Sequence, residues 1–267
     1  MIDIEKKGNI RSIKTVLVMA VLLFVVAEPT FAIKGTVVKS GNERMKGDIR
    51  WQQSKKEYLI TTGGITMTLK PSQVAKIIVP KPAGFDKAVK DVEAKRYDAA
   101  LPVLEKIMND YKMMDWDVKA TKYAAAAQLG MKNPAKAILL CEKLIRNNPK
   151  AAYQGSVAEI YWKALVEGDR KATLRKIMAK AIKEGPRELV PLVQIRRADV
   201  DMKERNYEKA LVDGYLRTVY FFESDKKYAP EALYKAKLCF EQLNEPTNAE
   251  KMRKKLLTDF PNSEYNK

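Results

Sequence analysis

The chain contains no histidine. That removes histidine-based nucleophile triads, imidazole-ligated zinc and imidazole pH switching from consideration. Cysteine is scarce as well: Cys141 and Cys239 are the only two, and neither sits in a spaced metal or redox motif. Both fall on expected helices, where a lone cysteine behaves as a small buried hydrophobe, so two free thiols are expected rather than a disulfide. There is no glycine-rich phosphate loop, because Gly63-Gly64 is followed by neither a Gly-Lys pair nor a helix start. No cofactor and no metal is therefore expected. Without histidine, hydrolysis would need a Ser-Lys arrangement or a carboxylate pair. Asp199 and Asp201 stand two apart on an expected helix and do not face one another; the reading for both is a solvated face. The sequence offers no catalytic constellation, and a non-enzymatic role is the expectation.

Apolar length is limiting at the N-terminus. A basic segment with Lys6, Lys7, Arg11 and Lys14 precedes an apolar run from Thr15 to Ala27, which stops at Glu28-Pro29 after thirteen residues. A bilayer-spanning helix needs about 20. The order basic, apolar, then Thr30-Phe31-Ala32 is that of a secretory signal peptide over 1–32, with cleavage after Ala32 leaving Ile33 first. The competing reading is an uncleaved anchor, since Thr30 rather than Ala stands three residues before the cut. Export places the protein in the periplasm or cell envelope.

What the chain has in abundance is positive charge: 50 Lys and Arg against 33 Asp and Glu, a formal net charge of +17. Such a balance attracts anionic lipid headgroups, acidic wall polymers or acidic proteins. Export takes the chain away from nucleic acid, which is not expected as a partner. The plainer reading is solubility through lysines spread along helix faces.

Strand periodicity is confined to 33–80. Ile49 and Trp51 alternate with Asp48 and Arg50, Tyr58 and Ile60 with Glu57 and Leu59, and Ile65, Met67 and Leu69 with Thr66 and Thr68. Gly63-Gly64 supplies the positive-φ residues of a two-residue hairpin turn. Ser40-Gly41-Asn42 and Gln53-Ser54-Lys55 mark two more turns, and Pro71-Ser72-Gln73 precedes a last short apolar strand, Ala75 to Val79. In order and length these five strands resemble an SH3-like small barrel. Trp51 is expected in its core, with a peptide-binding surface as the alternative. A module this small buries little core alone, so packing against the following helices is expected. A hinge at 81–84 separates the two regions.

From 85 to 267 helix pairs are broken by Gly, Asn and Pro. Small residues recur at Ala100, Ala137, Thr173, Ala210 and Ala249, spaced 37, 36, 37 and 39 apart, and such self-similarity marks a repeat. Ala88, Ala125, Tyr161 and Ala198 stand twelve residues before the first four. The runs Arg96-Tyr97-Asp98-Ala99-Ala100 and Asn206-Tyr207-Glu208-Lys209-Ala210, with Ala137, Cys141, Leu144 and the closing Pro149, resemble the tetratricopeptide (TPR) repeat family. The resemblance implies a mainly α fold, a TPR-like helical-hairpin solenoid of about five hairpins behind the small β module. It also implies a protein-binding scaffold whose first helices line a concave groove. Under that resemblance the partner-binding candidates are Lys119, Lys122, Trp162, Asp199, Met202, Lys203 and Phe240, a cationic and apolar set suited to an acidic protein or peptide segment. For Trp162 core burial is the competing reading. The rival function is a basic, surface-associated factor that holds anionic lipid or wall polymer.

Overall fold

The computed structural model describes residues 32–266. The signal peptide expected over 1–32, and with it the choice between cleavage and anchoring, falls outside the described residues but for Ala32. Among those described, no helix is long and apolar enough to cross a membrane.

Five strands form one antiparallel sheet: β1 (Ile33–Lys39), β2 (Arg44–Gln52), β3 (Glu57–Thr62), β4 (Ile65–Leu69) and β5 (Val74–Ile78). Their order is β4-β3-β2-β1-β5. Register follows the alternation, with Ile33 opposite Ile49, Val37 opposite Met45, Ile49 opposite Ile60 and Tyr58 opposite Leu69. All of these side chains are buried on one face. Gly63 and Gly64, at φ 57° and 83°, make the β3–β4 turn with the double positive φ that matches strand twist. Closure into a barrel is not seen among the described residues, where β4 and β5 are the two edges of the sheet.

Two expectations about side chains change here. Ile65 and Met67 follow the inward alternation but are 70% and 42% exposed, while Leu69 at the base of the same strand is buried. β4 is the edge of the sheet, and although Ile60 opposite Met67 is fully buried, the core does not reach sideways far enough to cover the edge strand beyond Leu69. Trp51 is half-buried: its ring meets Tyr58 edge-on at 4.8 Å and its Nε1 donates to Gln53 Oε1.

Eleven α-helical segments among the described residues build the repeats, beginning with α1 (Phe85–Glu93), α2 (Tyr97–Asp110), α3 (Trp116–Gly130), α4 (Pro134–Ile145), α5 (Gly155–Glu167) and α6 (Lys171–Glu184). They continue with α7 (Val190–Lys203), and with α8 (Tyr207–Ala210) joined to α9 (Leu216–Phe221) through a π turn at Leu211–Tyr215. A last pair, α10 (Ala229–Gln242) and α11 (Pro246–Asp259), closes the chain. The array is TPR-like: five hairpins, each packed on its neighbours.

One backbone device defines the repeat. After each first helix a single residue takes the left-handed conformation: Lys95, Lys132, Asp169, Arg205 and Asn244, all at φ 57° to 62°. The N–H of the following residue then bonds the carbonyl five back, as in Asn133 to Gln128 at 2.8 Å and Arg170 to Leu165 at 2.8 Å. This is the glycine-type helix C-cap made here without glycine. Five residues after the left-handed position stand Ala100, Ala137, Leu174, Ala210 and Ala249, all buried. The third member is therefore Leu174 and not Thr173, which is exposed; spacing by small residues alone slipped one place. Seven residues before it stand Ala88, Ala125, Trp162 and Ala198, so Trp162 and not Tyr161 occupies that place in the third hairpin.

Alanines at these two places let paired helices approach closely. The third hairpin has Trp162 and Leu174 instead, and α5 and α6 make fewer close approaches than the partners of any other hairpin. The fourth hairpin goes the other way. A side chain on Gly214, inside the π turn, would collide with the Ala198 Cβ, so only glycine permits that approach.

The sheet is locked to the array by the loop between α2 and α3. Met114 is 2% exposed within the sheet's own core. Tyr58 Oη donates to the Met113 carbonyl at 2.8 Å, and Gln53 Nε2 donates to Asn147 Oδ1 at 2.9 Å. Met113 and Asp115 both take positive φ to aim Met114 at the sheet. The Asp117 carboxylate, buried at the start of α3, accepts the Met113 N–H at 2.7 Å. Its other oxygen is buried without a partner, and burial pushes the carboxyl up to about 6.

Cys141 on α4 and Cys239 on α10 are free and fully buried. Burial pushes the Cys141 thiol up to about 12 and that of Cys239 up to about 11, which keeps both protonated and unreactive.

Candidate functional site

A groove of about 690 Å³ crosses the middle of the array. Lys132 comes from the turn between α3 and α4, Pro134 from the start of α4, Lys163, Val166 and Glu167 from α5, Asp199, Met202 and Lys203 from α7, and Lys235 from α10. Val166, Met202 and Pro134 give it an apolar strip, and four ammonium groups stand along that strip.

The four lysines are not equivalent. Lys203 Nζ donates to the carbonyls of Val166 and Glu167 at 3.0 and 3.1 Å, so it caps the C-terminus of α5 from the next hairpin. Lys235 Nζ lies 2.6 Å from Asp199 Oδ1 and 2.7 Å from Glu231 Oε1. Behind it Arg196, 5% exposed, donates to Asp199 at 2.7 Å and to both Glu231 oxygens at 2.6 and 3.2 Å. Tyr215 Oη donates to Asp199 at 2.8 Å, a reach that the π turn arranges. Burial opposes charge on Glu231, yet Arg196 and Lys235 hold its carboxyl down at about 2. Burial and the neighbouring Asp199 push the Tyr215 hydroxyl far up, so it stays a donor. This network is two cations against two anions, and it is satisfied internally except for the Arg196 Nε, which has no partner.

Lys132 and Lys163 differ from these two: among the described residues neither ammonium group makes an ion pair or hydrogen bond. They are the charges left available to a partner.

Of the seven residues expected in a groove, Asp199, Met202 and Lys203 are brought together. Trp162 takes the core reading; it is fully buried and its Nε1 donates to the Ala152 carbonyl at 2.8 Å. Phe240 is half-buried against the main core. Lys119 pairs with Asp115 at 3.1 Å and lies 4.1 Å from the Trp116 ring centre, and Lys122 lies 5.2 Å from that of Tyr123; neither lines the groove. Asp199 and Asp201 are not a solvated face. Asp199 belongs to the buried network and Asp201 is tied to Lys209 at 2.8 Å, because unscreened carboxylates on a helix turned inward need cationic partners.

Sequence reasoning missed Lys132, Lys163, Val166 and Lys235. A signal existed in the turns: counted back from the left-handed residue, Val166 and Met202 share one position, Lys163 and Asp199 a second, Glu167 and Lys203 a third.

No family model matches the chain, and no curated protein matches it. Among solved structures, MamA AMB-1 is 15% identical, with the match covering 68% of this chain and 100% of that one at a TM-score of 0.43. MamA MSR-1 is 16% identical over 65% of this chain and 92% of its own, at 0.39. These values mark a remote likeness, and the fold assignment stands on the repeated turn geometry.

Proposed function

We propose that this protein is a non-enzymatic protein-binding scaffold of the cell envelope, and that the groove across the start of α4, α5, α7 and α10 takes an extended, acidic segment of a partner protein. The observation that carries this is the pairing of two uncommitted ammonium groups, Lys132 and Lys163, with the apolar strip of Val166 and Met202 on consecutive hairpins. Apolar contacts made in such a groove supply affinity, while the lysines raise the association rate and select sign. The internally paired Arg196, Asp199, Glu231 and Lys235 fix the groove wall without competing for the ligand. Export through cleavage after Ala32 belongs to the same reading; N-terminal sequencing of the secreted form should begin at Ile33.

Crosslinking and pull-down from the envelope fraction would identify the partner. With that partner, Met202→Ala should weaken binding several-fold and Lys163→Glu about tenfold or more, both in folded proteins. If added salt abolishes binding while Met202→Ala leaves it unchanged, the protein acts instead through its overall positive charge on an anionic surface.

A further inference from the structure

The two edges of the sheet are not alike. On β5 a lysine, Lys76, sits at the strand centre, and the register breaks between Val38 and Lys39 on its neighbour; both are devices that discourage edge pairing. On β4 there is no charge, no proline and no bulge. Four of its five residues are exposed, and Ile65 and Met67 extend the core face into solvent at 70% and 42% exposure. On a chain of net charge +17, an uncharged open edge is a place where two copies can meet without opposing their lysines.

We propose that β4 pairs antiparallel with β4 of a second copy across a two-fold axis at Met67. The strand reads Ile-Thr-Met-Thr-Leu, nearly the same in both directions. Antiparallel pairing about Met67 sets Ile65 against Leu69 of the second copy, Thr66 against Thr68, and Met67 against Met67. Apolar faces apolar and threonine faces threonine, both favourable cross-strand pairs. The flanking Lys70 meets Gly64 of the other copy, so no ammonium faces another. The same operation on β5 would oppose Lys76 to Lys76, which is unfavourable. Such a contact is isologous and closed, so it makes a dimer and stops, joining two sheets into one.

Sedimentation of the purified protein over a range of concentrations tests this. The dimer fraction should rise with concentration, and Met67→Lys, which opposes two ammoniums at the axis, should shift the midpoint by about tenfold or more with an unchanged far-UV spectrum. Independently, Met67→Cys should form an intermolecular disulfide on mild oxidation, because opposite residues lie within reach of one, and Ile78→Cys on the other edge should not; the two native thiols are buried and silent. A monomer at every concentration, association unaffected by Met67→Lys, or equal crosslinking through Ile78→Cys would each overturn the proposal.

Discussion

The second and third hairpins share one turn and differ in what it joins. Lys132 and Asp169 take the same left-handed conformation, and the same backbone bond closes each cap. Yet α3 and α4 meet through Ala125 and Ala137, whereas α5 and α6 carry Trp162 and Leu174 at the matching places. Turn geometry therefore fixes the register of the repeat, and side-chain volume at two positions fixes how tightly each hairpin shuts. The wider third hairpin is filled by an indole whose N–H is itself satisfied, so its width is a packed state and not a defect.

The strongest attack on this contrast is Trp162→Ala, which gives the third hairpin the residue its neighbours have. If the hairpin is built around the indole, the variant loses about 3–5 kcal/mol, read by urea unfolding, and leaves the Ala152 carbonyl without its donor. A loss below about 1 kcal/mol would mean that the third hairpin closes like the others and that volume does not set its width.

The second hairpin carries a different burden, the loop that enters the sheet. Asp117 has its carboxyl raised to about 6 from an ordinary 3.8. Because the folded state holds the proton more tightly, this group's contribution is fully present below about pH 4 and is lost as pH rises through about 6; at pH 7 the buried charge costs up to about 3 kcal/mol. Asn keeps an acceptor for the Met113 N–H and carries no charge. Asp117→Asn should therefore be more stable than the parent at pH 7 by about 2 kcal/mol, with the difference vanishing at pH 4. A constant difference between those pH values would show that Asp117 is ionised in the same range folded and unfolded.

The smallest effect comes from the shared turn. Lys132→Gly and Asp169→Gly each relieve a left-handed side chain, at some cost in the unfolded chain's freedom, and should each raise stability by less than about 1 kcal/mol. The two shifts should be equal within error in thermal unfolding. Unequal shifts would couple turn to packing and remove the separation drawn above.

The elements were legible because they rest on local rules. Period-two alternation located the strands, and Gly63-Gly64 located the tight turn. The helix hairpins showed themselves through small residues recurring at nearly constant spacing. What stayed hidden is set by neighbours far along the chain. Leu174 stands where the pattern asked for a small residue, and nothing local marks the third hairpin as wide. Ile65 and Met67 obey the inward alternation perfectly; only the extent of the core decides that they are uncovered. In the groove, Met202 and Lys203 were readable from the repeat resemblance, but Lys132 sits in a turn and Lys235 is placed by the ion-pair network of α7 and α10. Asp199 looked solvated because its partners Arg196, Tyr215 and Lys235 become neighbours only when helices stack.

Met114 gives the sheet a timetable. The last strand ends at Ile78, but the interior of the sheet is complete only when a side chain from 36 residues further along has entered it. A chain made or threaded N-terminus first therefore presents its strands before it can finish them. They wait, with part of their apolar face open, until α2 has formed and the loop behind it arrives. The strands emerge before the element that seals them, and any helper that shields nascent strands has its moment in that interval.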